Sequence, residues 1–214
     1  MPEALDYLSQ RELMALVAEA MGRGDSGHAM AYLKAAVARD DRTPEALFML
    51  GSEYAQIKLV DDALDCMGRA VAQAPEFWIA RFQLGLLHLT AGQPAQAQAV
   101  WAPLATLADG DAKAYLKRFH QGLLHLIADE FGPAVQWLQS GIALNHENEP
   151  LNVDMRRIID AVAHLPGAAS TAPAELAGSA PPPAPAETKV PATEADVEPS
   201  HLFISAYATR GKPH

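Results

Sequence analysis

The sequence is short of most residues on which catalytic, metal and membrane readings rest. Cys66 is the one cysteine in 214 residues. No intrachain disulfide can form, and no cysteine-based zinc site can be built. Lys and Arg number 16 against 26 Asp and Glu, a net charge of −10, whereas a nucleic-acid binder usually carries a basic stripe. Positive charge clusters only in KRFH at 117–120 and MRR at 155–157, which read as solvated helix surface. No apolar run approaches the ~20 residues that span a bilayer. The opening MPEALDYLSQRELMALVAEA has no basic stretch followed by an apolar one, so no secretory leader is expected. Together these absences predict a cytoplasmic protein that neither binds nucleic acid nor inserts into a membrane.

Catalytic signatures are missing too. There is no P-loop, G-x-G-x-x-G, H-E-x-x-H or G-x-S-x-G. His120 and His125 are five apart, so they do not share a helical face as an i, i+4 metal pair would. Asp40-Asp41 and Asp61-Asp62 read as helix caps or turn ends. Cys66 has no histidine predicted beside it and reads as a small buried or half-buried residue, not a nucleophile. The expectation is a non-enzyme with no cofactor and no metal.

What the chain does have is apolar helix and repetition. Half the residues are hydrophobic. The word GLLHL occurs at 85–89 and again at 122–126. Near residue 165 the composition changes: residues 166–200 are dominated by Pro and Ala, with PPPAPA at 181–186. Such a stretch buries too little apolar surface to offset its ordering entropy and predicts a disordered linker. Apolar residues return in HLFISAYATRGKPH at 201–214. Leu202, Phe203, Ile204 and Tyr207 there form a candidate recognition motif for a partner or for the chain's own groove.

Within a 34-residue unit starting at Pro44, the residues Leu47, Leu50, Gly51, Tyr54, Ala63, Met67, Ala70 and Pro75 fall at places 4, 7, 8, 11, 20, 24, 27 and 32. This pattern resembles the tetratricopeptide repeat. The next unit, 78–111, matches through Leu84, Gly85, His88, Ala97 and Trp101, with Arg81 and Asp109 departing from the pattern. The unit 10–43 fits through Leu13, Leu16, Ala20, Ala29, Leu33 and Ala36, and a fourth runs 115–148 through Gly122, His125, Ala134, Leu138 and Gly141. His88 and His125 thus stand where a packing aromatic belongs, and GLLHL becomes a register mark. Small residues at places 8 and 20 let two helices approach closely. Thr43-Pro44 reads as an N-cap and first-turn proline, and Gly92-Gln93-Pro94 and Gly132-Pro133 as helix end and restart. EPLNVDMRRIIDAVAHL at 149–165 predicts a capping helix, about 150–164, covering the stack with Val153, Ile158, Ile159 and Val162.

The expected fold is therefore all-α. It is a right-handed superhelical α-solenoid of about four helix-turn-helix repeats plus a capping helix, one domain over 1–165, followed by the linker and the motif. The resemblance implies a concave groove lined by places 2, 5, 9 and 12 of each first helix. Carried over, these give the candidate peptide-binding residues Met14, Phe48, Ser52, Ile79, Phe82, Leu86, Leu89, Leu116, Phe119, Leu123 and Leu126. Arg11, Glu45 and Arg81 would be rim charges. This apolar lining, with a ladder of three Phe, lacks the Lys, Asn and Arg that the family's carboxylate clamp needs. It suits an apolar peptide or amphipathic helix of a partner protein. Two alternatives stand beside it. The same residues are core, covered by curvature, by Asp6-Tyr7-Leu8 or by a second copy in a homodimer. Or the protein is a bacterial secretion-type chaperone (class II-like) holding an exported hydrophobic client.

Overall fold

A computed structural model describes Leu5 and residues 7–163 of the chain. The predicted linker and the motif with Leu202, Phe203, Ile204 and Tyr207 lie outside the described residues. Among those described, all regular structure is helical: α1 (Gln10–Gly22), α2 (Ser26–Ala38), α3 (Pro44–Gln56), α4 (Val60–Gln73), α5 (Trp78–Thr90), α6 (Pro94–Trp101), a 3₁₀ helix (Ala102–Thr106), α7 (Ala114–Ile127), α8 (Phe131–Leu144) and α9 (Glu149–Ala163). The chain divides into two compact units, Met1–Val100 and Trp101–His214.

Four tight turns set the helical register. In each, one residue takes the left-handed conformation: Gly24 (φ 69°), Lys58 (φ 63°), Gly92 (φ 76°) and Asp129 (φ 60°). The next residue donates its backbone N–H to a carbonyl five positions back. The pairs are Asp25 to Ala20, Leu59 to Tyr54, Gln93 to His88 and Glu130 to His125, each at 2.9 Å. That bond satisfies an orphan carbonyl at the end of the first helix and reverses the chain, as a Schellman ending does. All four left-handed residues occupy place 15 of their units.

The first unit packs α1 on α2, α2 on α3, α3 on α4 and α4 on α5. Its helices start on identifiable signals. Ser9 and Glu12 form a reciprocal capping box, with Ser9 N–H donating to Glu12 Oε2 at 2.8 Å and Glu12 N–H to Ser9 Oγ at 3.3 Å. Thr43 Oγ1 accepts from Ala46 N–H, and Pro44 opens α3 as expected. A Cβ built on Gly51 would lie 2.8 Å from Met67 Cγ and 3.2 Å from the Ala63 carbonyl oxygen, so α3 meets α4 at a distance only glycine allows. Val17, Leu33, Leu50 and Cys66 form one buried cluster, and Leu13, Ala36 and Ala46 another, onto which Leu5 and Leu8 pack. Arg39 Nη1 donates to the Leu8 carbonyl at 2.7 Å, which ties down the amino-terminal approach.

The second unit repeats the device. Gly122 faces Leu138 Cδ2 at 2.8 Å and the Ala134 carbonyl oxygen at 3.1 Å, measured from a built Cβ. Two expectations are corrected here. Gly132-Pro133 does not mark the restart, because the turn residue is Asp129 and α8 begins at Phe131. Pro133 therefore sits in the first turn, where its missing N–H has no intrahelical partner to lose. In α9 the buried stripe is Leu151, Met155, Ile158 and Val162, while Val153 and Ile159 are half-buried. The α8–α9 connection is held by two buried asparagines. Asn145 Nδ2 donates to Asn152 Oδ1 at 2.8 Å, and Asn152 Nδ2 returns to the Asn145 carbonyl at 3.0 Å. Helix α6 is cut to eight residues because Pro103 follows, and the chain continues as the 3₁₀ helix.

Candidate functional site

The candidate residues separate sharply by exposure. Met14, Phe48, Ser52, Ile79 and Leu89 are half-buried and all belong to the first unit. Phe82, Leu116, Phe119 and Leu123 have no exposed surface, and Leu126 and Leu86 retain 1% and 7%. The expected open ladder of three Phe is thus reduced to Phe48.

Local packing explains part of this. The Phe119 ring lies edge-on to Tyr115, with centroids 5.8 Å apart. It also fills the space left by Gly141, where a Cβ would fall 2.4 Å from Phe119 Cδ1. Phe119 is therefore part of the α7–α8 seam. Phe48 instead meets Phe77 edge-on at 5.2 Å and keeps part of its surface open. Phe77, just before α5, is an aromatic neighbour that the sequence reading missed, because it lies outside the helical places carried over from the repeat pattern. Met14 packs on both clusters of the first unit. The Ser52 hydroxyl donates to the Phe48 carbonyl at 3.0 Å, so it serves its own helix first.

The rim also changes. Arg11 and Glu45 are exposed, but Arg81 is a backbone clamp. Its Nη2 donates to the Pro75 carbonyl at 2.9 Å and its Nη1 to the Val100 carbonyl at 3.2 Å. Burial pulls its pKa below the ordinary value. That accounts for its departure from the repeat pattern: it satisfies connection carbonyls in place of an apolar contact.

The histidines of GLLHL brace turns. His88 Nδ1 pairs with Gln93 Oε1 at 2.7 Å, and His125 Nδ1 with Glu130 Oε2 at 2.5 Å. Each side-chain pair doubles the backbone bond between the same two residues. His120 differs. It is 4% exposed, lies 5.9 Å from the Trp101 ring, and its Nδ1 has no hydrogen-bond partner among the described residues. Burial pushes its pKa down to about 4. Glu53, on α3, is 5% exposed, and burial holds its carboxyl above the usual range. Cys66 is buried, and desolvation pushes its thiol up, the direction that makes a thiol inert. The charged stretch of α7 is engaged with neighbours as well: Arg118 Nη2 reaches Asp109 Oδ1 at 3.3 Å, and its guanidinium lies 5.0 Å from the centre of the Trp137 ring.

Helical hairpins with glycine at the helix contact and a shared turn geometry define a TPR-like helical repeat fold. Solved structures with similar backbones include a crystal structure of MamA, 24% identical with a TM-score of 0.52, covering 64% of this chain and 78% of that one. MamA from Desulfovibrio magneticus RS-1 is 19% identical with a TM-score of 0.53, and a double mutant of MamA RS-1 is 18% identical at 0.52. Each of these two pairings covers 72% of this chain and 83% of the other. Such identities establish likeness of fold. No family model and no curated protein sequence matches the chain. Among the described residues no helix is long and apolar enough to cross a membrane.

Proposed function

We propose that this protein is a non-catalytic interaction scaffold that binds an apolar peptide or the apolar face of a helix from a partner protein. The observation that carries the reading is the open set on the first helices of the first unit. Met14 and Phe48 share place 5 on α1 and α3, and Ile79 and Leu89 take places 2 and 12 on α5. All remain partly exposed while their equivalents in the second unit are closed. Met14 and Phe48 at one place on α1 and α3, with Ile79 and Leu89 on α5, where place 5 is the closed Phe82, offer partly open apolar side chains that the i, i+3, i+4 anchors of a peptide can meet. Arg11 and Glu45 flank the set at place 2 and give it charges of both signs, which favour selectivity over raw affinity.

The test is affinity capture from the source cells with the wild-type chain and with Phe48→Asp and Ile79→Asp, each checked for unchanged helicity by circular dichroism. A specific protein retained by the wild type and lost with either variant supports the scaffold. Retention unchanged by both variants sinks it. If the retained protein is an exported hydrophobic client, the chaperone reading gains over the adaptor.

A further inference from the structure

The four hairpin turns use equivalent places differently. Places 14, 15 and 16 read Arg23-Gly24-Asp25, Ile57-Lys58-Leu59, Ala91-Gly92-Gln93 and Ala128-Asp129-Glu130. At place 16 three of the four side chains serve their own turn. Asp25 accepts from His28 N–H at 3.1 Å, and Gln93 and Glu130 pair with His88 and His125. Leu59 stands at the N-cap of α4 with no side-chain cap bond, where an oxygen-bearing residue would satisfy an orphan N–H. Lys58 holds the left-handed conformation without the freedom of glycine. The second turn thus forgoes a cap and keeps a strained lysine. A local outlier of this kind points to a use outside the turn.

The surface of this turn shows what that use requires. Ile57 and Leu59 are 53% and 45% exposed, on either side of the exposed Lys58. Asp61 and Asp62 follow, exposed in the first turn of α4. The side chains of Lys58, Asp61 and Asp62 enter no hydrogen bond or ion pair among the described residues. The two acids suit the positive end of the α4 dipole, but that leaves Lys58 without a counterpart. Residues 57–62 therefore present two apolar side chains flanked by charges of both signs. A purely basic or purely acidic partner would leave one sign unmatched. A copy of the same surface matches both.

We propose that the α3–α4 turn is a self-association surface whose occupant is a second copy of this chain. About a two-fold axis, Ile57 and Leu59 pack on their equivalents, and Lys58 of each copy meets the acidic pair of the other. The surface lies on the turn and does not depend on the peptide-binding set of α1, α3 and α5. Pairing would double whatever the chain binds and raise avidity without a new contact.

The experiment is sedimentation equilibrium of the full-length chain. The wild type should rise from its monomer mass of 22.9 kDa towards twice that, over about 10 µM to about 1 mM, the range of weak, transient interfaces. Leu59→Asp supplies the missing N-cap, so α4 is kept, and this variant should stay monomeric throughout. Lys58→Glu, and separately Asp61→Lys with Asp62→Lys, should each stay monomeric because like charges then oppose. Mixed in equal amounts these two should form a mixed pair, since both contacts of the two-fold are then of opposite sign. A monomeric wild type, a Leu59→Asp variant that associates like the wild type, or a mixture that stays monomeric would each overturn the proposal. A mass that climbs past twice the monomer would overturn it as well, by showing an open-ended contact in place of a two-fold one.

Discussion

The Phe119 ring occupies the space where Gly141 would carry a side chain, and a Cβ there would stand 2.4 Å from Cδ1 and 2.5 Å from Cε1. Gly141→Ala should therefore cost about 1–3 kcal/mol through overpacking. Gly68, inside α4 with nothing within 4 Å of a built Cβ, is the matched control. Gly68→Ala should stabilise by about 0.5–1 kcal/mol. Urea unfolding of both variants checks the pair, and a harmless Gly141→Ala would remove Phe119 from the α7–α8 seam.

The four turns make a second prediction. Lys58 and Asp129 hold a left-handed conformation that Gly24 and Gly92 adopt at equivalent places. Neither Lys58 nor Asp129 has the steric freedom of glycine there. Lys58→Gly should raise stability by about 0.5–1 kcal/mol, and Gly92→Ala should lower it by about 1 kcal/mol or more. Thermal melts of the two variants should move in opposite directions.

His120 sets a pH dependence. Its folded pKa of about 4 lies below the ordinary 6.5, so the unfolded chain binds the extra proton first. The stability held by neutral His120 is complete above pH ~6.5 and is lost as pH falls towards ~4, by up to about 3 kcal/mol. The hydrogen-bonded carboxylates of Glu12 and Glu149 are depressed and push the same way, so the signature is a difference. His120→Phe should flatten the stability profile between pH 6.5 and 4 relative to wild type. Parallel profiles would contradict the assignment.

The buried Asn145–Asn152 pair is a structural prediction with a large expected effect. Asn152→Ala removes the side-chain donor to the Asn145 carbonyl and one of the two acceptors of Asn145 Nδ2, which keeps the Asn148 carbonyl, and should cost about 1–3 kcal/mol. The loss should concentrate in α9, read as faster hydrogen exchange there than in α7.

Much of the fold was legible because its register rests on residue size. Gly51, Gly122, Ala63 and Ala134 mark the helix contacts by being small, and Thr43-Pro44 announces a helix start by hydrogen bonding and a fixed φ. The turn at Asp129 is hidden in the sequence because Asp129, like Lys58, is not glycine, and Gly132-Pro133 three residues on draws the boundary too late. The left-handed conformation of Lys58 and Asp129 goes with the bond that the next residue, Leu59 or Glu130, donates to the carbonyl five positions back, not with a local preference of Lys or Asp for it. The Ser9–Glu12 box is spelled S-x-x-E, a helix-start signal that residue type alone carries. The site was less legible. An apolar residue at a groove place is spelled the same whether open like Phe48 or closed like Phe119. The deciding feature, Gly141, lies on another helix.

The most direct measurement places a photoreactive phenylalanine analogue at Phe48 on α3 and, as a control, at Gly68 on α4. Irradiation in the source cells should give a covalent adduct with one specific partner protein from position 48 and none from position 68. Crosslinking to that partner from 68 alone, or no adduct from 48, would contradict an interaction surface on the first helices.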